Sequence, residues 1–241
     1  GTDHTPLLEA RARFRQRGEL DAVPELVVCP HEFTAMSAAH GMAVATGRPQ
    51  GVIVHVDAGT QNLGAAVHNA ARANAPVLVF AGLAPVSTGN SPGARDTSVH
   101  YVQDVFDQTG IVRQYCRWTG EYKPPAHPDD FVARAIERAT APPAGPVYLT
   151  ATREALETPV SPSYDRDART VEPEGAPDGT VQKLAGRIAN AERPLVITST
   201  VPPGSELEAV DKLVSFAETA GAGVIEHSPV SLCFPRDHDL H

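Results

Sequence analysis

Cysteine is scarce in this 241-residue sequence: Cys29, Cys116 and Cys233 stand far apart, and none belongs to a Cys-x-x-Cys pair. Such spacing suggests neither a disulfide framework nor a zinc site, and a reducing, cytoplasmic setting is the expectation. Basic residues are outnumbered, 20 Lys and Arg against 29 Asp and Glu, for a formal net charge of −9. Without a Lys/Arg-rich stripe to neutralise a phosphate backbone, the chain is not expected to bind nucleic acid. A small-molecule site is compatible with that charge, because local and net charge can differ. No apolar run approaches the roughly 20 residues needed to span a bilayer, and no basic-then-apolar leader opens the chain, so no membrane partner is expected. The spaced glycines of a dinucleotide loop are missing as well.

What is present is a globular composition, 41% hydrophobic and 20% charged, large enough for one sizeable domain or two small ones. Short apolar runs recur at 26–29 (LVVC), 52–56 (VIVHV), 77–82 (VLVFAG), 147–151 (VYLTA) and 194–200 (PLVITST). They lack clean alternation, as strands covered on both faces do. Helical stretches lie among them at 5–17, 32–46, 60–74, 128–139, 181–191 and 206–220. Alternating strand and helix predicts an α/β fold with an open, mainly parallel sheet flanked by helices. The segment 158–179, rich in Pro, Asp and Gly, reads as a linker. It separates a domain at 1–157, whose opening reads as a loop entering a helix with a first strand lacking, from a partial α/β domain at 180–241. A unit of about 60 residues exposes too much apolar surface to close a parallel sheet well, so the second domain is expected to be incomplete or completed by another chain.

In open α/β sheets ligands gather beyond the carboxyl ends of strands. Three strand exits therefore matter: Glu32 after "VVCPH"; His55, Asp57, Gly59, Thr60 and Asn62 in "VIVHVDAGTQN"; and the long loop after Gly82. Each residue alone has an ordinary explanation. An acidic residue suits a helix's first turn, a histidine packs at a rim, and a glycine serves a turn. The small residues Ala35, Ser37, Ala38, Ala39, Gly41 and Ala43 allow the second helix a close neighbour, either inside the domain or across a subunit interface.

Their order is more specific. The run "HEFTAMSAAHGMAVATGRPQGVIVHVDAGTQNLGAAVHNAARANAPVLVFAG" resembles the pyrimidine-binding domain of thiamine-diphosphate-dependent enzymes of the acetohydroxyacid synthase and 2-oxoacid decarboxylase superfamily. "GPVYLTATREAL" is similar to the family's close of that domain. "PLVITST" and "FPRDHDLH" are similar to parts of its central domain.

The resemblance implies that Glu32 bonds the far ring nitrogen of the cofactor's aminopyrimidine, favouring the imino form that activates the thiazolium, and that Gly59, Thr60 and Asn62 adjoin the cofactor. Burial of Glu32 beside an apolar helix is expected to raise its carboxyl pKa against the pull of the helix dipole. "HVDAGTQN" resembles the active-site segment of benzoylformate decarboxylase and puts His55 on its histidine. Thr2 and Gln103 fall at substrate-facing positions, while His4 and His100 have no motif behind them. The implied activity is decarboxylation of a 2-oxo acid, with protonation of the product or its addition to a second carbonyl compound in acetolactate synthase-like fashion. A dimer or larger homo-oligomer is implied, since the family's sites form between subunits.

Three departures qualify this. The Phe-Gln-Glu element expected after the third strand exit is present only as "VQDVFDQ", with Gln103 and Asp104 the nearest match. Asp57-Ala58-Gly59 stands where many members have Gly-Pro-Gly, and no Gly-Asp-Gly followed by asparagine is present to hold Mg²⁺ and diphosphate. Magnesium is therefore expected on a domain outside this chain, a C-terminal one or a second subunit, leaving the chain alone inactive. The alternatives are a non-catalytic binding or regulatory subunit that keeps the fold, or a generic nucleotide-binding domain.

Overall fold

Strand 77–82 forms where a six-residue apolar run is bracketed by Pro76 and the loop after Gly82, and it becomes the centre of a four-stranded sheet. A computed structural model describes residues 2–94, 101–161, 168–169, 175–201, 206–229 and 231–241. The chain divides into two compact units, residues 1–43 with 48–171, and residues 44–47 with 172–241.

In the first unit the strands are β1 (Gln50–Val54), β2 (Val77–Gly82), β3 (Trp118–Glu121) and β4 (Val147–Ala151). All pairings are parallel and the order is β1-β2-β4-β3. The helices are α1 (Thr5–Arg17), α2 (Glu32–Thr46), α3 (Ala58–Arg72), α4 (Pro128–Thr140) and the short α5 (Arg153–Glu157). Sequence chemistry fixes several ends. Gly18, at φ 74°, closes α1 in the left-handed conformation that glycine adopts without strain. Pro128 opens α4 behind His127, whose Nδ1 accepts the Asp129 N–H. Ala135 and Ala139 of α4 pack with Val147 and Leu149, walled by Leu78, Phe80, Trp118 and Phe131. Elsewhere in the unit α3 buries Leu63, Ala66, Val67 and Ala70.

The open, parallel α/β architecture is as the sequence predicts. One expected strand is corrected: Leu26–Cys29 joins no ladder, and Val27 and Val28 are 72% and 86% exposed. A β-branched run becomes a strand only where a neighbour supplies hydrogen bonds. Among the described residues β1 has β2 on one side and no strand on the other. Conversely β3, with glycine and charge in "WTGE", carries no apolar alternation, yet it pairs along β4.

Helix α2 is apolar on every side, but within this chain only Met36 and Ala43 are buried. Phe33 and Met42 are 42% and 53% exposed, whereas a helix apolar all round is ordinarily buried all round.

The second unit contains α6 (Asp178–Ala189), β5 (Leu195–Thr198), α7 (Glu206–Ala220) and β6 (Gly223–Glu226), with β5 and β6 parallel. "FPRDHDLH" is built around Phe234, which is buried with Ala217 and Val224 and meets the His238 ring edge-on at 5.1 Å. Of the expected linker 158–179, residues 162–167 and 170–174 lie outside the described residues. No helix among the described residues is long and apolar enough to cross a membrane.

Candidate active site

The carboxyl ends of β1, β2 and β4 open on the same side of a parallel sheet, so residues leaving them converge. After Val54 the chain passes through His55, Val56 and Asp57 and turns directly into α3. Gly59 makes that turn tight: a Cβ there would stand 3.1 Å from His55 Cβ and 3.3 Å from the Val54 carbonyl carbon. Asp57 adopts φ 43°, ψ −82°, a conformation costly for a residue with a side chain. It is held by its N–H, which donates to Gln108 Oε1 at 2.9 Å, and by its carboxylate, which accepts from Gln61 Nε2 at 2.7 Å. The positive φ gives a physical reason for glycine at this place in the resembled pattern.

Two clusters flank this junction. In the first, Glu32 at the head of α2 is half-buried, and its Oε2 accepts a hydrogen bond from Asn62 Nδ2 at 3.0 Å. Asn62 lies early in α3, so the bond ties the carboxylate to the β1–α3 turn. Among the described residues Oε1 takes no hydrogen bond, which leaves it as an available acceptor. Glu32, expected within an apolar shelter, is instead partly exposed in this chain.

In the second cluster His55, with its side chain 28% exposed, places Nδ1 2.9 Å from Asp3 Oδ1. On the opposite edge of the ring, Gln103 Nε2 donates to His55 Nε2 at 3.0 Å. Asp3 Oδ2 also accepts the Val56 N–H at 3.2 Å. Neighbouring His4 donates from Nε2 to the Val54 carbonyl at 2.5 Å. Burial pushes the His4 pKa below its ordinary value, which outweighs the nearby Asp3 carboxylate, so this ring is neutral at pH 7.

Beneath both lies a buried polar network. Tyr148 Oη is 2.6 Å from Thr60 Oγ1 and accepts from Gln108 Nε2 at 2.9 Å, while Gln108 Nε2 also reaches the Gly82 carbonyl at 2.8 Å. Burial pushes the Tyr148 pKa up, against the two hydrogen bonds. Thr60, expected to adjoin the cofactor, is fully buried with its hydroxyl engaged inside the fold, so its backbone is the part left to meet a ligand. On the loop after β2, Glu154 Oε1 accepts the N–H groups of Val86 and Ser87 at 2.9 and 3.0 Å, pinning the third strand exit.

The structure thus brings together Glu32 with Asn62, and His55 with Gln103, around Gly59. Thr2 lies in the three-residue turn Thr2–His4, and its side chain is outside the described residues, as is all of His100. The residue of that turn touching His55 is Asp3, which sequence reasoning passed over along with Gln108 and Tyr148. Only the polarity of Asp3 beside a histidine in "TDH" hinted at it.

The family model "Thiamine pyrophosphate enzyme, N-terminal TPP binding domain" matches residues 6–111. The chain is 29% identical over 233 residues to 2-succinyl-5-enolpyruvyl-6-hydroxy-3-cyclohexene-1-carboxylate synthase of Prosthecochloris aestuarii, covering 87% of this chain and 37% of that protein. It is 27% identical to benzoylformate decarboxylase of Pseudomonas aeruginosa, covering 69% of this chain and 30% of that one. Among solved structures, benzoylformate decarboxylase from Polynucleobacter necessarius superposes with a TM-score of 0.72 at 25% identity, covering 93% of this chain and 41% of its own. The chain thus spans well under half the length of the relatives it matches.

Proposed function

From the premise that the chain belongs to the thiamine pyrophosphate enzyme superfamily, we propose that it is the pyrimidine-binding part of an enzyme that decarboxylates a 2-oxo acid. The observation that carries this reading is the half-buried Glu32 carboxylate, held through Oε2 by Asn62 while Oε1 takes no hydrogen bond among the described residues. A carboxyl group so held fits a weakly basic ring nitrogen, which shares a proton with one oxygen while the other stays anchored. Thiamine diphosphate, when bound, supplies the nucleophilic carbon and the electron sink needed for loss of CO₂.

The chain's own residues then have separate tasks. Glu32 binds and polarises the pyrimidine, Asn62 orients Glu32, and Gly59 lets the α3 turn approach closely. His55 exchanges a proton with substrate at Nε2, and Gln103 offers an amide beside that atom. Thr2 opens the same turn as Asp3 and is the substrate-facing residue of that turn. Protonation of the decarboxylation product gives an aldehyde. A relative named as a synthase favours the other fate, in which the product is joined to a second compound.

Magnesium and the diphosphate are held by a further domain or a second subunit of the complete protein. The exposed apolar flank of α2, with Phe33 and Met42, supports a subunit interface there. The test is Glu32→Gln in the complete assembly, assayed with 2-oxo acids, thiamine diphosphate and Mg²⁺. Turnover should fall at least ~10²-fold with unchanged unfolding temperature. Retained turnover would show that Glu32 does not activate the cofactor.

A further inference from the structure

The turn Thr2–His4 presents a carboxylate that is only 7% exposed, with each oxygen given a different duty. Asp3 Oδ2 accepts the Val56 N–H at 3.2 Å, which fixes the carboxylate plane against the end of β1. Oδ1 then faces His55 Nδ1 at 2.9 Å. His4 Nε2 lies 3.3 Å from Oδ2 while bonding the Val54 carbonyl, so two consecutive side chains of one turn grip the same strand end. Glycine at position 82 makes room for the arrangement: a Cβ there would lie 2.0 Å from Asp3 Oδ2. The ring's other nitrogen is defined as well, because Gln103 Nε2 can only donate, and it does so to His55 Nε2 at 3.0 Å. An imidazole nitrogen that accepts carries no proton, so the neutral ring keeps its proton on Nδ1, where Asp3 accepts it.

We propose that Asp3 is a positioning residue that holds His55 as the Nδ1–H tautomer, making Nε2 the one basic atom the ring presents to substrate. The assignment rests on the reading above, in which His55 exchanges a proton with substrate. A purely structural duty for Asp3, capping the Val56 N–H, is separable from it. An asparagine retains an acceptor oxygen for Val56, but its amide nitrogen turned toward Nδ1 would donate and so favour the proton on Nε2.

The experiment is ¹⁵N NMR of the full protein labelled at histidine, at a pH where His55 is neutral, with its signals identified by their loss in His55→Gln. A charge-assisted hydrogen bond of ordinary strength favours one tautomer by about tenfold or more. The wild type should therefore show His55 at least about tenfold in the Nδ1–H form, and Asp3→Asn should lower that ratio about tenfold or more. Gly82→Ala, which displaces the carboxylate without altering it, should act in the same direction. An Nε2–H ring in the wild type overturns the proposal without reference to any variant, and so does an unchanged ratio in a folded Asp3→Asn protein. Turnover measured in parallel should fall ~10²-fold in kcat with little change in KM. A shifted tautomer with unchanged kcat upholds the Asp3–His55 pairing and instead removes His55 from the chemistry, which refutes the proton exchange assigned to it above.

Discussion

Replacing Tyr148 by phenylalanine removes one oxygen from the centre of the first unit. That oxygen meets Thr60 Oγ1 at 2.6 Å and Gln108 Nε2 at 2.9 Å, and Tyr148 and Thr60 are both almost wholly buried. Gln108 keeps the Gly82 carbonyl as an acceptor, so the principal loss falls on the Thr60 hydroxyl. Leaving one buried hydroxyl without its partner costs about 1–3 kcal/mol, and Tyr148→Phe should therefore destabilise the unit by ~2 kcal/mol. Thr60→Val on the same background removes the stranded group, so the double variant should recover ~1 kcal/mol relative to the sum of the single changes. Urea unfolding followed by Trp118 fluorescence is the assay. Trp118 is the sole tryptophan and lies on β3, paired to β4 beside Tyr148, so its signal reports this unit. A Tyr148→Phe cost below ~0.5 kcal/mol, or strictly additive single effects, would refute the claim that the two hydroxyls form a closed buried pair.

Other consequences can be measured on the same protein. Asn62→Ala removes the 3.0 Å bond that orients Glu32 but sits at an exposed position. It should weaken thiamine diphosphate binding by the complete assembly about three- to tenfold, with stability changed by less than ~0.5 kcal/mol; calorimetric titration decides. Asp57→Gly relieves the φ 43° conformation and should be neutral or stabilising by up to ~1 kcal/mol, whereas Asp57→Ala should cost ~1 kcal/mol; paired thermal melts test the contrast. Burial pushes the Cys116 thiol up to about 12 from 9.0. Above pH 9 the unfolded chain releases this proton before the folded one does, so stability falls as pH rises from 9 toward 12, by at most ~1.4 kcal/mol per pH unit. Cys116→Ala should flatten that slope. His4 acts at the other end: its folded pKa is lowered, so the unfolded chain binds the proton first and stability declines as pH drops below 6.5.

Legibility in the sequence followed locality. Strands 77–82 and 147–151 and helices 5–17, 32–46 and 206–220 match the structure residue for residue, because their apolar runs and bounding residues are properties of neighbours in the chain. Leu26–Cys29 has the composition of a strand without its ladder, and β3 has the ladder without the composition. Pairing partners decide both cases, and partners are not encoded in a local pattern. The same division holds at the site. Glu32 and His55 stand out as polar residues at strand exits, whereas Asp3 reaches His55 across 52 positions and Thr60 meets Tyr148 across 88. Neither pairing leaves a mark in the spacing of either residue's neighbours. For Thr60, expected beside the cofactor, the hydroxyl's engagement with Tyr148 is visible only in the fold.

Helix α2 carries Glu32 on its first turn and uncovered apolar side chains along its length. On the interface reading, burying those side chains and presenting the carboxylate to cofactor are a single event, so specific activity becomes a function of protein concentration. Dilution toward the dissociation constant should extinguish turnover before it unfolds the sheet. A substitution at Met42, ten residues along the helix from Glu32, should move that threshold.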